Sequence, residues 1–173
     1  LSQKYLQELK QTPVNRLSVG VQSFRDNRLS WMNRSHTSDQ AVAAIENASV
    51  LGFNLSMDLI FSLPEMTPDE WNEQLQMVAT LPVNHLSAYG LTVEKGTLLF
   101  NRINGKQEKE LPDELAQKLF LQGDTFLEQN GFEHYEISNY AKPGFRAKHN
   151  SNYWYYKPYL GLGPSAHSFN IHQ

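Results

Sequence analysis

The chain has 173 residues, 40% of them hydrophobic, with 15 basic and 18 acidic side chains, a net charge of −3 and no cysteine. That size and apolar content suit one domain with a sizeable core, and the mixed, slightly negative charge gives no electrostatic reason for a nucleic-acid or membrane partner. Without cysteine the chain supplies no disulfide, no thiolate nucleophile and no iron-sulfur or zinc-thiolate ligand of its own.

No apolar run approaches the about 18 residues that span a bilayer, and no basic-then-apolar signal segment opens the chain; the sequence reads as cytoplasmic. It starts on Leu1 and stops at "FNIHQ" without a cap or polar tail, which reads as a piece of something longer.

In chain order, the first strand is "RLSVGVQSF" at 16–24. A helix follows, with Thr37 as cap, Gln40 as its capping-box partner, Ala41, Ala44, Ile45, Ala48 and Leu51 as the apolar stripe and Gly52 as the stop. The second strand is "NLSMDLIFSLP" at 54–64. In the next helix Thr67 caps, Pro68 takes the first position, Glu70 reaches back to complete a capping box, and Trp71, Leu75 and Val78 face inward. "HLSAYGLTVE" at 85–94 is the third strand. The strands read as apolar on both alternations in their middles, as parallel strands covered on both faces do.

Beyond them a polar loop leads to a third helix from about Pro112 to Gly131, then to a strand-like "FEHYEISNYA". From Lys142 onward Pro, Gly, Asn and aromatic residues suit binding loops and short strands. Right-handed β-α-β crossovers leave an α/β class with two architectures, a doubly wound open sheet or part of a (β/α) barrel. No GxGxxG or GxxxxGK[ST] supports a nucleotide-binding open sheet, so barrel staves are the expectation.

Ligands of such folds sit at the carboxyl ends of the strands, which singles out Gln22, Asp58 and Glu94. Asp58 interrupts an apolar strand, where an unpaired carboxylate is costly, so it must meet a cation or hydrogen-bond donors; a structural ion pair is the plainer alternative to a ligand contact. Arg34, in the loop between the first strand and first helix, could aim a guanidinium at a ligand carboxylate or at Asp58, or stay a solvated surface arginine. His149, His167 and His172 form no HxxxH or HxH pair. "HNSNYWYYKPY" at 149–159 gathers one imidazole and five aromatic rings, which suits a flat, partly apolar partner or, alternatively, the filling of core beneath a loop.

Seven blocks, "NRLSVGVQSF", "RSH", "DLIFSLPEMTPDEW", "HLSAYGLTVEKGT", "HYEISNYAKPG", "HNSNYW" and "YLGLGPSAHSF", resemble in order the motifs of the oxygen-independent coproporphyrinogen III oxidase-like proteins of the radical S-adenosylmethionine (SAM) superfamily. "HNSNYW" is similar to the HNxxYW motif of that family's haem chaperone branch, and the Gly-Tyr-Thr-Thr segment of the oxidases is absent. The resemblance implies a partial (β/α) barrel of middle and later staves over 1–100 and a family-specific carboxyl-side region over 101–173, the two forming one compact unit. It implies SAM contacts at Gln22, Arg34 and Asp58, with His167 near SAM. It also implies a 4Fe-4S cluster held by a CxxxCxxC loop that this chain lacks, and haem bound by His149 as iron ligand with Tyr153 and Trp154 beside it.

Two functions follow from the resemblance: haem binding and transfer to an acceptor protein, or oxidative decarboxylation of porphyrinogen propionates by the oxidases. The residues at 149–154 favour the first, and these residues alone, without cluster ligands, are expected to be inactive. An incomplete barrel exposes strand edges that a second copy of the chain could cover.

Overall fold

A computed structural model describes residues 1–170, so His172 lies outside the described residues. Helix α1 (Gln3–Lys10) precedes strand β1 (Arg16–Gln22); α2 (Asp26–Trp31) and α3 (Ser38–Val50) lead to β2 (Asn54–Phe61), and α4 (Pro68–Thr80) to β3 (His85–Gly90). Then come α5 (Leu98–Asn104), α6 (Asp113–Gln129), β4 (Glu133–Glu136), β5 (Asn139–Ala141) and α7 (Lys148–Trp154). The five strands form one sheet in the order β1-β2-β3-β5-β4, with β1, β2 and β3 parallel and the β4–β5 hairpin antiparallel to β3.

Local chemistry starts and stops the long helices as the sequence predicts. Thr37 and Gln40 form a reciprocal capping box at α3, and Gly52 beyond its end has a φ of +73° that a side chain would disfavour. At α4 only half of the expected box forms. Thr67 accepts from Glu70 N at 3.1 Å, but the Glu70 carboxylate turns inward to a bidentate pair with Arg28, donated by Nε and Nη2 at 2.7 Å each. A charge-assisted fork is a stronger partner than one backbone amide, so tertiary contact displaces the local one.

The sheet is two-faced, which corrects the expectation of strands apolar on both sides. Val21, Leu55, Met57, Leu59 and Leu86 point one way and form a single core with Leu6 of α1, Ile45 of α3, Trp71 and Leu75 of α4 and Leu119 of α6. The alternate positions are mostly polar: Arg16 and Ser18, with Gly20, on β1, Asn54, Ser56 and Asp58 on β2, His85 and Ser87 on β3. Cross-strand bonds confirm the shared face. Ser18 Oγ donates to Asp58 Oδ1 at 3.3 Å, and Ser56 Oγ meets His85 Nδ1 at 2.7 Å. Each of the three parallel strands opens on the same [R/N/H]-L-S pattern, the period-two signal of a half-polar sheet.

Gly123, mid-way along α6, packs directly under the Trp71 indole. A Cβ there would sit 3.1 Å from Trp71 Nε1, whose N–H donates to Leu119 O at 3.0 Å. The segment expected as one strand at 132–141 is instead the β4–β5 hairpin. The segment expected as binding loops and short strands after Lys142 carries an isolated bridge between Tyr159 and Phe169 and, beyond that expectation, the short helix α7. Among the described residues no helix is long and apolar enough to cross a membrane.

Candidate functional site

The polar face is built from both ends of the parallel strands. At the carboxyl end, β1 carries a register shift between Gly20 and Gln22, and Gln22 adopts a φ of +67°. This bulge folds the Gln22 amide back over the strand: Nε2 lies 2.7 Å from the point a Cβ on Gly20 would occupy. Gly20 is the cross-strand partner of Asp58, so the amide and the carboxylate share one patch of sheet, and only a glycine leaves the amide its place.

Asp58 lies mid-strand rather than at a strand end, with Ser18 as hydroxyl donor on one side and, on the other, Ser87, whose hydroxyl donates to Asn139 Oδ1 at 3.1 Å. Burial raises its pKa, and the neighbouring Ser87 and Ser18 side chains and the Arg16 charge offset the shift only in part. Arg34 is exposed and lines a hollow of about 600 Å³ together with Trp31, Ile60, Leu91 and Arg102. Ile60 follows Asp58 by two residues and so faces the same way. Gln22 and Asp58 are thus neighbours on one face with Arg34 at the lip of an adjoining hollow, and no hydrogen bond joins the three. Glu94 is exposed beyond β3, where its carbonyl accepts from Thr97 Oγ1 at 2.7 Å.

The loop that carries Gln22 is clamped to α4. The Gln74 side-chain oxygen accepts from Phe24 N at 2.6 Å and from Ser23 Oγ at 3.2 Å, while Arg28 grips Glu70 and also donates to Pro64 O at 3.0 Å.

At the amino end a chain of hydrogen bonds runs from the sheet to α7. Ala147 N donates to Tyr135 Oη at 3.1 Å, and that hydroxyl lies 2.6 Å from His85 Nε2. Burial, with help from the Arg16 charge, pulls the His85 pKa from 6.5 down to about 4, so the imidazole is neutral and accepts from Tyr135 while its Nδ1–H faces Ser56 Oγ. Ala147 is the N-cap of α7. On that helix His149 and Tyr153 stand one turn apart with Tyr153 Oη 2.7 Å from His149 Nε2. Tyr153 and Trp154 are 40% and 39% exposed, large values for aromatic rings. Trp154 packs 5.8 Å from the Tyr135 ring, and Tyr159 stands edge-on to Tyr153 at 4.5 Å. Tyr159 is bridged to Phe169, which groups the exposed His167 with this end of the sheet; no hydrogen bond links it to Gln22, Arg34 or Asp58.

Arg16, Ser18, His85, Ser87 and Tyr135 escaped the sequence reading, although the repeated [R/N/H]-L-S strand openings mark all of them but the tyrosine. Among the described residues no group of three or more His, Asp or Glu is placed to hold a metal ion.

A radical SAM superfamily model matches residues 1–78. The chain is 39% identical over 171 residues to the haem chaperone HemW of Synechocystis sp., covering 96% of this chain and 41% of that protein. It is 36% identical over 170 residues to HemW of Bacillus subtilis, covering 98% of this chain and 45% of that one. Over its first 78 residues, therefore, the chain matches the radical SAM superfamily. A mitochondrial radical SAM domain-containing protein 1 of Mus musculus is 39% identical over 158 residues. The fold of this chain is that of the Escherichia coli coproporphyrinogen III oxidase HemN, with a TM-score of 0.77 at 24% identity, over 98% of this chain and 42% of HemN. The chain thus spans about two-fifths of the curated relatives' length.

Proposed function

We propose that this chain is the SAM-facing and haem-binding part of a haem chaperone. The observation that carries the reading is α7: the HNSNYW segment forms a helix that sets His149 and Tyr153 in contact and leaves both exposed beside Trp154. A solvent-facing imidazole next to flat aromatic surface suits an iron porphyrin, with His149 as iron ligand and Tyr153 holding its ring orientation. Identity of 36–39% to proteins named haem chaperones supports it.

The polar face fits SAM. Asp58 and the Gln22 amide, seated over Gly20, offer an acceptor and a donor for ribose and ammonium groups, and Arg34 suits a carboxylate. His167 groups with α7 and is proposed as a SAM contact only through the longer protein. SAM and a 4Fe-4S cluster together supply reductive radical chemistry in this superfamily; the cluster thiolates would come from sequence outside these 173 residues, which hold no cysteine. A haem-accepting protein would meet the exposed side of α7, and the free edge of β1, where Ser18 and Gly20 are exposed, would take further strands or a second copy.

Titration of haemin into the full-length protein, followed by Soret absorbance, tests the proposal. His149→Ala is expected to weaken binding at least tenfold and shift the band; unchanged spectra remove the ligand. Decarboxylation of coproporphyrinogen III by the full-length protein with SAM and a reductant would overturn the chaperone reading.

A further inference from the structure

Arg16 opens β1 on the polar face, opposite Asn54 in the register. Its guanidinium is near enough to Asp58, His85 and Tyr135 to act on the charge of all three. Yet Nε and Nη2 are buried with no hydrogen-bond partner, and the neighbouring Asn54 Oδ1 is equally alone. Charged donors taken from water without an acceptor are strongly unfavourable. The carboxylates of the same face are engaged elsewhere: Asp58 by Ser18, Glu136 by Asn139 and by Ser138 N at 3.1 Å.

Nε and Nη2 form one edge of the guanidinium, the edge whose two parallel N–H groups take a carboxylate side-on. The missing partner is therefore a carboxylate. Its position follows from the face Arg16 shares with His85, whose Nε2 lies 2.6 Å from Tyr135 Oη; Tyr135 in turn accepts from Ala147 N at the root of α7 and packs against Trp154. The fork thus lies on the face of the sheet to which the helix that carries His149 is tied. A haem presents its iron at the centre and its carboxylates at the rim, so a histidine-bearing aromatic helix and a nearby guanidinium fork are complementary to one ligand.

We propose that Arg16 binds a propionate carboxylate of the tetrapyrrole held at α7. The inference rests on the haem reading and adds to it an anchor on the barrel sheet, which fixes the rotation of the macrocycle in its own plane. It also explains why a polar relay of His85 and Tyr135 ties α7 to the sheet at this point.

The test compares haemin with its dimethyl ester, whose propionates carry no charge, in the full-length protein and one detergent-containing buffer. Wild type is expected to prefer the free acid by about ten- to a hundred-fold, as charge-assisted hydrogen bonds imply. Arg16→Gln should bind the ester as wild type does and lose the preference; Arg16→Lys, a point charge without the fork, should keep part of it. Equal binding of acid and ester by wild type overturns the inference and leaves His149 ligation standing. So does an undiminished preference in Arg16→Gln. Failure of wild type to bind either form removes the haem reading and this inference with it. Melting curves show whether a variant has folded, and the wild-type comparison stands without any variant.

Discussion

Removing the carboxylate of Glu70 should unfold the protein more readily than any surface change, and removing both partners of its ion pair should not. The Arg28 and Glu70 side chains are 16% and 5% exposed, and two 2.7 Å bonds join them across 42 residues of sequence. In Glu70→Leu the guanidinium keeps only Pro64 O among its present acceptors and is otherwise a buried, unpaired charge. Breaking one side of such a pair costs about 3–5 kcal/mol; with the Pro64 bond retained, the lower figure, about 3 kcal/mol, applies. At about 2–4 °C per kcal/mol for a chain of this size, the melting point should fall by roughly 6–12 °C. The double variant Arg28→Met/Glu70→Leu exchanges the pair for apolar contacts and should lie within about 1 kcal/mol of wild type. Urea unfolding of wild type, Glu70→Leu, Arg28→Met and the double variant, read at constant m-value, gives the coupling energy directly. A single-variant cost under about 1 kcal/mol, or a double variant as unstable as the sum of the singles, would refute the account of the clamp.

Three further outcomes follow from the geometry. The depressed His85 pKa means that the folded state binds fewer protons than the unfolded one between pH 6.5 and about 4, so stability is full above that window and lost as pH falls through it, by about 3 kcal/mol in all; His85→Asn should flatten the dependence, and parallel pH-stability curves for the two proteins would contradict it. Asp58→Asn removes a carboxylate whose charged form is disfavoured by burial, so the melting temperature at pH 7 should rise while SAM binding to the full-length protein, measured by calorimetry, falls; a lower melting temperature argues for a structural ion pair instead. Gly123→Ala gains about 1 kcal/mol of helix propensity but drives a methyl to 3.1 Å from the locked Trp71 ring, and overpacking of about 1–3 kcal/mol should leave the protein about 1 kcal/mol less stable by denaturation followed through tryptophan fluorescence.

The sequence by itself determined the elements whose signals act within a few residues. Thr37 with Gln40, Pro68 after Thr67 and Gly52 mark helix ends because caps and left-handed turns are satisfied locally, and three branched runs separated by helices dictate parallel strands. The ordered motifs from "NRLSVGVQSF" to "YLGLGPSAHSF" carried the family. Tertiary structure alone decided what depends on partners far apart in the chain. Glu70 reads as a capping residue until Arg28, 42 positions away, takes its carboxylate. The HNSNYW segment has little helical propensity of its own and reads as loop; it becomes α7 where Tyr135 satisfies Ala147 N and Trp154 finds the Tyr135 ring. That Asp58, His85 and Arg16 share one face was set by strand register, since a one-residue slip turns every side chain to the other side; the repeated [R/N/H]-L-S openings signal the alternation along each strand but not the partners across strands.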